Sequence, residues 1–185
     1  MSGAPPLVIV TGPPGAGKSF LAPALARELV LPLIAKDTIK EALMSVVSVD
    51  SVARSQLLGL ASIRVLFALA AAQLDTGAGV VLEANFRTAE AAEDLAPLLA
   101  RSRAVAIYCW VPMETVLERV RRRTDTGRRH PGHRDRDRLA MDLTLFDPSR
   151  YDPAELGIQT RRVEMTGDYD LDTVASWTRA ALSQA

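Results

Sequence analysis

The chain has 185 residues, 48% of them hydrophobic, and its 22 acidic and 22 basic side chains give a formal net charge of zero. This length and composition predict a single domain over residues 1–185 with a hydrophobic core of its own. The neutral balance and the lack of a run of about 18 apolar residues argue against nucleic acid or a membrane as a partner.

Apolar patterns predict that strands and helices alternate along the chain. Strands are expected at 7–11, 32–35, 79–83, 104–111 and 162–166, and helices at 18–30, 38–48, 52–75, 88–100, 113–125, 136–146 and 171–183. Two of the strands are almost continuously apolar, as in strands that helices cover on both faces. The alternation predicts an α/β fold in three layers, with a five-stranded parallel sheet that binds ligands at the carboxyl ends of its strands.

The segment between the first strand and the first helix matches G-x-x-x-x-G-K-[ST], the nucleoside-triphosphate P-loop. Glycines let the backbone wrap around phosphate oxygens, and N–H groups at the helix start point at the anion. Lys18 is expected to reach the β- and γ-phosphates, and the Ser19 hydroxyl to ligate Mg²⁺. A Gly-Pro turn without function is disfavoured by the strand–loop–helix context. The predicted nucleotide contacts are Gly12, Pro13, Pro14, Gly15, Ala16, Gly17, Lys18, Ser19 and Phe20.

A carboxylate follows the second strand, on the edge where the P-loop presents phosphate. Asp37 is therefore a candidate base for a substrate hydroxyl that attacks the γ-phosphoryl group. The alternative is that Asp37 caps the helix at 38–48. Thr38 and Glu41 already form a capping-box pattern, which favours the role as base. Lys40, one of only three lysines in the chain, is assigned to the acceptor substrate.

The helix at 52–75 and the end of the third strand are expected to border the acceptor. The apolar stripe of this helix is core by default, and part of it is available to an apolar pocket. Glu83 stands where a Walker-B carboxylate holds Mg²⁺ through water, and Asn85 is a substrate candidate on the same rim. Arg87 is either a substrate contact or a solvated charge before a helix capped by Thr88.

Cys109 is the only cysteine and lies inside the apolar strand at 104–111. This setting is typical of a buried structural thiol, not of a nucleophile. A single cysteine allows no disulfide within the chain, which suits a reducing compartment. We therefore expect a cytoplasmic location, in line with an N-terminal region that carries no signal-peptide pattern.

Arginine is concentrated in residues 119–138, which hold nine of the nineteen arginines. Arg119 and Arg123 are four apart and share one helix face, so both can contact the same phosphate. The segment predicts a lid over about 119–138, with Arg128, His130 and His133 as further substrate candidates. A metal site at His130 and His133 is disfavoured by the surrounding positive charge. Alternating Arg and Asp at 134–138 indicates a partly solvated face.

Together these motifs resemble the P-loop predicted small-molecule kinases, a group similar to chloramphenicol phosphotransferase, the zeta toxins and the phage polynucleotide kinase domain. The resemblance covers nearly the whole chain. It implies that Asp37 is the base, that Arg119 and Arg123 clamp phosphates, and that the loop after the last strand, at Thr166, lies near the adenine. The chain carries Glu83 where many relatives carry Asp. It lacks the N-K-x-D pattern of GTPases, which favours ATP as the donor.

The sequence thus predicts a Mg²⁺-dependent kinase that transfers the γ-phosphoryl group of ATP to a hydroxyl of a small molecule. An antibiotic, a nucleoside or a sugar-like metabolite would all fit. Two alternatives are a polynucleotide 5′-hydroxyl kinase, which would bind phosphates along the arginines, and a nucleotide-driven switch or assembly ATPase. The acceptor and the oligomeric state are not indicated by the sequence.

Overall fold

The computed structural model describes residues 3–126 and 129–185, and within them five strands form one parallel sheet. The strands are β1 (Pro6–Thr11), β2 (Leu33–Ala35), β3 (Val80–Glu83), β4 (Arg103–Trp110) and β5 (Gln159–Glu164). Their order in the sheet is β2-β3-β1-β4-β5. The helices are α1 (Lys18–Leu29), α2 (Lys36–Met44), α3 (Val52–Asp75), α4 (Thr88–Leu99), α5 (Met113–Asp125), α6 (Asp135–Met141) and α7 (Leu171–Gln184).

Two hydrophobic cores cover the two faces of the sheet, because successive strand residues point to opposite sides. Val8 and Val10 of β1 face α1, α5 and α7 in one core. Leu7 and Ile9 face α3 and α4 in the other. The three-layer α/β fold with a five-stranded parallel sheet is therefore confirmed. Since β1 is the central strand, the loop that follows it lies between the ends of β3 and β4.

Both ends of α2 differ from the predicted 38–48, since the helix ends at Met44. The helix begins at Lys36, directly after β2, and Ala35 is its N-cap without a side-chain hydrogen bond. The expected capping box of Thr38 and Glu41 is therefore wrong, since both residues lie inside the helix. Asp37 falls in the first turn, where a carboxylate interacts favourably with the helix dipole.

The helix predicted at 136–146 is also wrong in its extent, because α6 ends at Met141. Asp142 leaves the helical conformation, and its carboxylate accepts a hydrogen bond from the Thr144 backbone N–H at 2.9 Å. Asp147 and Asp152 start two further short 3₁₀ turns in the same way. Side-chain capping at five-residue intervals thus replaces the last turn of the predicted helix.

Two expectations about the neighbouring helices need correction. At α4 the N-cap is Arg87, and the Thr88 hydroxyl donates a hydrogen bond to the Asp152 carbonyl oxygen at 2.7 Å instead of capping the helix. On α3 the apolar stripe is only partly core. Leu66 and Phe67 are buried, whereas Leu57, Leu60 and Leu69 are 48–64% exposed.

Helix α3 also corrects the expectation that no segment is apolar over a membrane-spanning length. By length and composition alone, it is the one helix in the described part of the chain that could cross a membrane. In the fold it packs through Leu66, Phe67, Ala70 and Leu74 against the sheet and α4.

Candidate active site

The P-loop follows β1 and adopts a conformation that depends on its glycines. Gly12, Gly15 and Gly17 have φ angles of +146°, +83° and +95°, a region that side chains with a Cβ atom rarely adopt. A Cβ at Gly12 would lie 2.2 Å from the Cys109 carbonyl oxygen, so no side chain fits there. Gly17 is the N-cap of α1, and no side chain caps this helix. The N–H groups of its first turn are thus available to an anion.

Lys18 is almost fully buried beside this loop. Its Nζ donates hydrogen bonds to the carbonyl oxygens of Gly12 at 2.8 Å and Pro13 at 2.9 Å. Burial lowers the pKa of Lys18, and the Glu83 carboxylate partly opposes the shift. Burial likewise raises the pKa of Glu83, at the end of β3. The Lys18 ammonium and the Glu83 carboxylate each favour the charged form of the other, because opposite charges attract.

A cavity of about 940 Å³ opens over the P-loop. Most of the predicted nucleotide contacts line it: Pro14, Gly15, Gly17, Lys18, Ser19, Phe20, Arg119 and Arg123. Gly12, Pro13 and Ala16 lie beneath the cavity surface and shape the loop. Asp37, Glu83 and Asn85 also line it. The volume and the mixture of lysine, arginine and carboxylate side chains suit a phosphorylated ligand.

Asp37 forms ion pairs with two cations at this cavity. Lys36 Nζ lies 3.3 Å from its Oδ1, and Arg129 Nη2 lies 2.5 Å from its Oδ2. Burial opposes ionisation of this carboxyl, but Lys36 and Arg129 outweigh it and hold its pKa well below the usual range. Lys36 also donates to Asn85 Oδ1 at 3.1 Å. Asp37 is therefore an anion at physiological pH, oriented by two cations.

Arg119 and Arg123 of α5 extend over the same cavity but make different contacts. Arg119 donates to the carbonyl oxygens of Met165, at 2.7 Å, and of Gly15, at 3.4 Å. Arg123 Nη2 donates to Asp135 Oδ2 at 2.6 Å. Arg129 lies 3.5 Å from the same Asp135 oxygen, so this buried carboxylate joins Arg123 to the pair of Arg129 and Asp37.

A second cavity, of about 530 Å³, adjoins the first. Lys36, Asn85 and Arg138 line both cavities, which therefore meet beside Asp37. Lys40 of α2 lines the inner wall, and α3 supplies apolar side chains that include Leu60, Ile63 and Phe67. This position, between α2, α3 and the rim at Asn85 and Arg87, is the one expected for the acceptor pocket.

A sequence profile of the AAA domain family (AAA_33) matches residues 7–146. The chain belongs to this family. A crystal structure from Chloroflexus aurantiacus J-10-fl, described as a "putative kinase", shares 30% sequence identity. That match covers 96% of this chain and 98% of the other, with a TM-score of 0.84.

Two enzymes with lower sequence identity share the fold of this AAA domain. A gluconokinase from Sinorhizobium meliloti 1021 is 17% identical, with a TM-score of 0.55 over 98% of this chain and 94% of its own. A shikimate kinase from Acinetobacter baumannii, in complex with shikimate, is 18% identical, with a TM-score of 0.55 over 99% and 95%. No protein with a curated description matches the chain.

Besides Gly12, Pro13 and Ala16, three predicted contacts line neither cavity. His133 is buried and its Nε2–H donates a hydrogen bond to Glu41 Oε1 at 2.9 Å. Burial together with Arg129 lowers the pKa of His133 to about 2. It is thus a neutral structural group. His130 Nδ1 accepts a hydrogen bond from the Gly132 backbone N–H at 3.1 Å. The Thr166 hydroxyl turns back to the Glu164 carboxylate at 3.0 Å, while Met165, Gly167 and Tyr169 line the first cavity.

The remaining predictions divide between the two cavities. Asn85 borders both, and Arg87 lines only the second, where it pairs with Glu90 at 2.5 Å. The Arg128 prediction lies outside the described residues. Sequence reasoning missed the roles of Lys36 and Arg138. The rarity of lysine was a usable signal for Lys36, whereas nothing in the sequence distinguishes Arg138 from the arginines around it.

Proposed function

We propose that this chain is a Mg²⁺-dependent kinase that transfers the γ-phosphoryl group of ATP to a hydroxyl of a small molecule. The observation that carries the proposal is the junction of the two cavities. Asp37 lines the first cavity together with the P-loop, and it pairs with Lys36, which lines both cavities. A hydroxyl bound in the second cavity would therefore meet both a carboxylate and a phosphate bound at the P-loop.

In the proposed reaction the acceptor oxygen attacks the γ-phosphorus, the bond from that phosphorus to the bridging β-oxygen breaks, and ADP leaves. The hydroxyl proton passes to the Asp37 carboxylate. Its depressed pKa makes Asp37 a weak base, which fits a loose transition state in which the proton leaves late. Lys18 would neutralise charge on the β- and γ-phosphates, and Arg119 and Arg123 would stabilise the migrating group.

The residues present also fit a magnesium ion bound together with the nucleotide. Mg²⁺ typically takes one or two protein oxygens and completes its shell with phosphates and water. Ser19, exposed at the start of α1, and the Glu83 carboxylate line the same cavity and could supply those oxygens. Bound there, the ion would neutralise charge that develops between the β- and γ-phosphates.

The arrangement of the arginines supports a small acceptor over a polynucleotide. Within the described part of the Arg-rich segment, Arg123, Arg129, Arg134 and Arg136 each pair with an aspartate of this chain. Side chains already paired make a poor track for a row of phosphates. We extend the proposal to residues 1–185 as one kinase domain, to residues 119–138 as its lid, and to the cytoplasm as its location.

Asp37→Asn tests the proposal because it keeps the shape of the side chain but cannot accept the proton. We expect ADP formation in the presence of acceptor to fall by about 10²–10⁴-fold, with ATP binding retained. The assay measures ADP released with and without each member of a panel of hydroxylated metabolites and antibiotics. ADP release at the same rate without any acceptor would instead identify a switch or assembly ATPase. An active Asp37→Asn enzyme would show that another group takes the proton.

A further inference from the structure

The second cavity contains two cations that no carboxylate neutralises. Six charged side chains line it: Lys36, Lys40, Arg87, Glu90, Asp94 and Arg138. Four of them have a partner of opposite charge, in the pairs Lys36–Asp37, Arg87–Glu90 and Arg64–Asp94. Lys40 and Arg138 form no ion pair within residues 3–126 and 129–185. The remaining residues, Met1, Ser2, Gly127 and Arg128, carry no carboxylate side chain.

Lys40 lies at the inner end of the cavity and is 3% exposed. Its Nζ donates to Ser55 Oγ at 2.9 Å, which uses one of its three N–H donors. Gly59 lies across from it, where an added Cβ would be 3.8 Å from Nζ. The missing side chain of Gly59 thus leaves room for about a methyl group beside the ammonium. A buried ammonium with a single neutral partner is unfavourable unless an anion joins it.

The electrostatic surroundings of Lys40 are consistent with this. Burial, together with the neighbouring Lys36 and Arg138, lowers its pKa to about 7, and Asp37 partly opposes this shift. The ammonium is therefore only marginally stable as a cation when the cavity holds no ligand. A bound anion would restore its charge.

Arg138 approaches the cavity from α6, on the opposite side. Its Nε is buried without a hydrogen-bond partner in the described part of the chain. The side chain lines both cavities, so it borders the junction at Asp37 as well as the space in front of Lys40. A guanidinium without a partner is a ready donor to a carboxylate or a phosphate.

We propose that Lys40 and Arg138 bind an oxyanion group of the acceptor, a carboxylate or a phosphate, while the acceptor hydroxyl meets Asp37. This assignment rests on the proposed kinase function and specifies the acceptor as a hydroxylated acid. Asp37 and Lys40 are three residues apart on α2, so their side chains share one helix face about 5–6 Å apart at Cβ. The hydroxyl and the anion must therefore be separated by only a few bonds. Leu60, Ile63 and Phe67 would contact the carbon skeleton.

A binding experiment tests the anion site without relying on catalysis. The melting temperature of the ADP-bound protein is measured with each compound of a panel of pairs, in which one member carries an anion and the other is its neutral counterpart. Examples are gluconate and sorbitol, and glycerol 3-phosphate and glycerol. We expect acids to raise the melting temperature at millimolar concentration while their neutral partners do not. The carboxylate and phosphate pairs identify which oxyanion is preferred. Stabilisation by neutral compounds alone, or by none of the panel, would overturn the proposal.

Lys40→Met and Arg138→Met test whether these two residues bind the anion, because methionine keeps an unbranched side chain but carries no charge. For an acidic acceptor we expect either change to raise KM by about 30-fold or more, because a buried charge loses its partner. The KM of a neutral acceptor should stay within about twofold. Arg101→Met is the control, since Arg101 is a cation paired with Asp75 before the start of β4, at the far end of the sheet.

The two variants also separate this inference from the kinase proposal. Equal losses for acidic and neutral acceptors would mean that Lys40 and Arg138 only support the fold, which the melting temperature of each variant without ligand would reveal. If the wild type binds acids and Lys40→Met does not, the anion site is supported. If the wild type nevertheless forms no ADP with any acceptor, the kinase function is refuted. Turnover of acidic acceptors that both variants retain with the KM of the wild type would do the reverse: it would leave the kinase function in place and refute the anion site.

Discussion

The P-loop and the Arg-rich segment (119–138) both border the first cavity, but different interactions determine their conformations. The P-loop takes its shape from three glycines with positive φ within eight residues. The described part of the Arg-rich segment takes its shape from ion pairs with distant residues. Arg129, for example, binds Asp37, which is 92 positions earlier in the chain.

This difference determines how the two regions respond to substitution. In the P-loop the backbone itself is the binding group, so a single added atom can displace it. In the Arg-rich segment the side chains have partners that can be exchanged. Arg123 and Arg129 share Asp135, and Arg129 also binds Asp37. Loss of one pair there leaves another cation in place. The predictions below contrast a rigid backbone site with a replaceable network of charges.

The largest expected effect is that of Gly12→Ala on stability. Its Cβ would clash with a backbone oxygen at 2.2 Å, and its φ of +146° is strained for any residue with a Cβ. We expect the free energy of unfolding to fall by about 4 kcal/mol, as overpacking and backbone strain combine. Thermal unfolding, with a drop in melting temperature of about 8–16 °C, measures the loss.

Gly77→Ala is the matched control for this prediction. Gly77 also has a positive φ, of +78°, but an added Cβ would meet nothing within 4 Å. Strain without a clash should destabilise the chain by about 1 kcal/mol. If both variants lose equal stability, the close approach of Gly12 to β4 contributes nothing, and the contrast drawn for the P-loop is wrong.

Lys18→Ala should have the next largest effect, on catalysis more than on stability. The variant loses the cation that would meet the β- and γ-phosphates, which predicts a fall in kcat of about 10²–10³-fold. Two carbonyl oxygens also lose a hydrogen-bond donor, at a cost of about 1 kcal/mol in folding. Steady-state kinetics and circular dichroism measure the two effects.

The control for Lys18→Ala is Arg27→Ala, which removes an exposed cation from the last turn of the same helix. Its kcat should stay within about twofold of the wild type. Retention of more than about a tenth of kcat by Lys18→Ala would contradict the electrostatic role assigned to the lysine.

The same contrast explains how much of the molecule the sequence could predict. Local patterns were sufficient for the first four strands, for α1 and for the P-loop, because each depends on residues next to one another. The last strand was predicted at 162–166, but β5 begins three residues earlier, at Gln159. Local patterns also located Asp37 and Asn85, since carboxyl ends of parallel strands meet at one edge. The site at Asp37 was predicted partly for a wrong reason, because the capping box that seemed to free its side chain does not form.

The failures concern contacts that are distant in sequence. His133 was assigned to substrate, but its neighbours Glu41 and Arg129 make it a buried structural residue. The partners of the individual arginines depend on how α5 and α6 pack over α2, which no local pattern encodes. The end of α6 was predictable in principle. Asp142, Asp147 and Asp152 recur every five residues, and each caps a backbone N–H two residues later.

The smallest expected effect, and the one that tests the Arg-rich segment, is that of Arg123→Ala. Arg123 pairs with Asp135, and Arg129 lies close enough to the same carboxylate to remain its partner when Arg123 is removed. If Arg123 stabilises charge that develops only in the transition state, kcat should fall by about 10–100-fold, the value of one charge-assisted hydrogen bond. The KM for ATP should change far less, and steady-state kinetics distinguish the two.

Arg136→Ala is the control, because Arg136 pairs with Asp125 in solvent and lines neither cavity. An exposed pair contributes little, so its kcat should stay within about twofold. A rise in the KM for ATP with unchanged kcat in Arg123→Ala would make Arg123 a contact of the bound nucleotide and refute its role in the transition state. Equal kcat in both variants would mean that Arg129 fully replaces Arg123, so that the charge of the network, and not one arginine, is what the site requires.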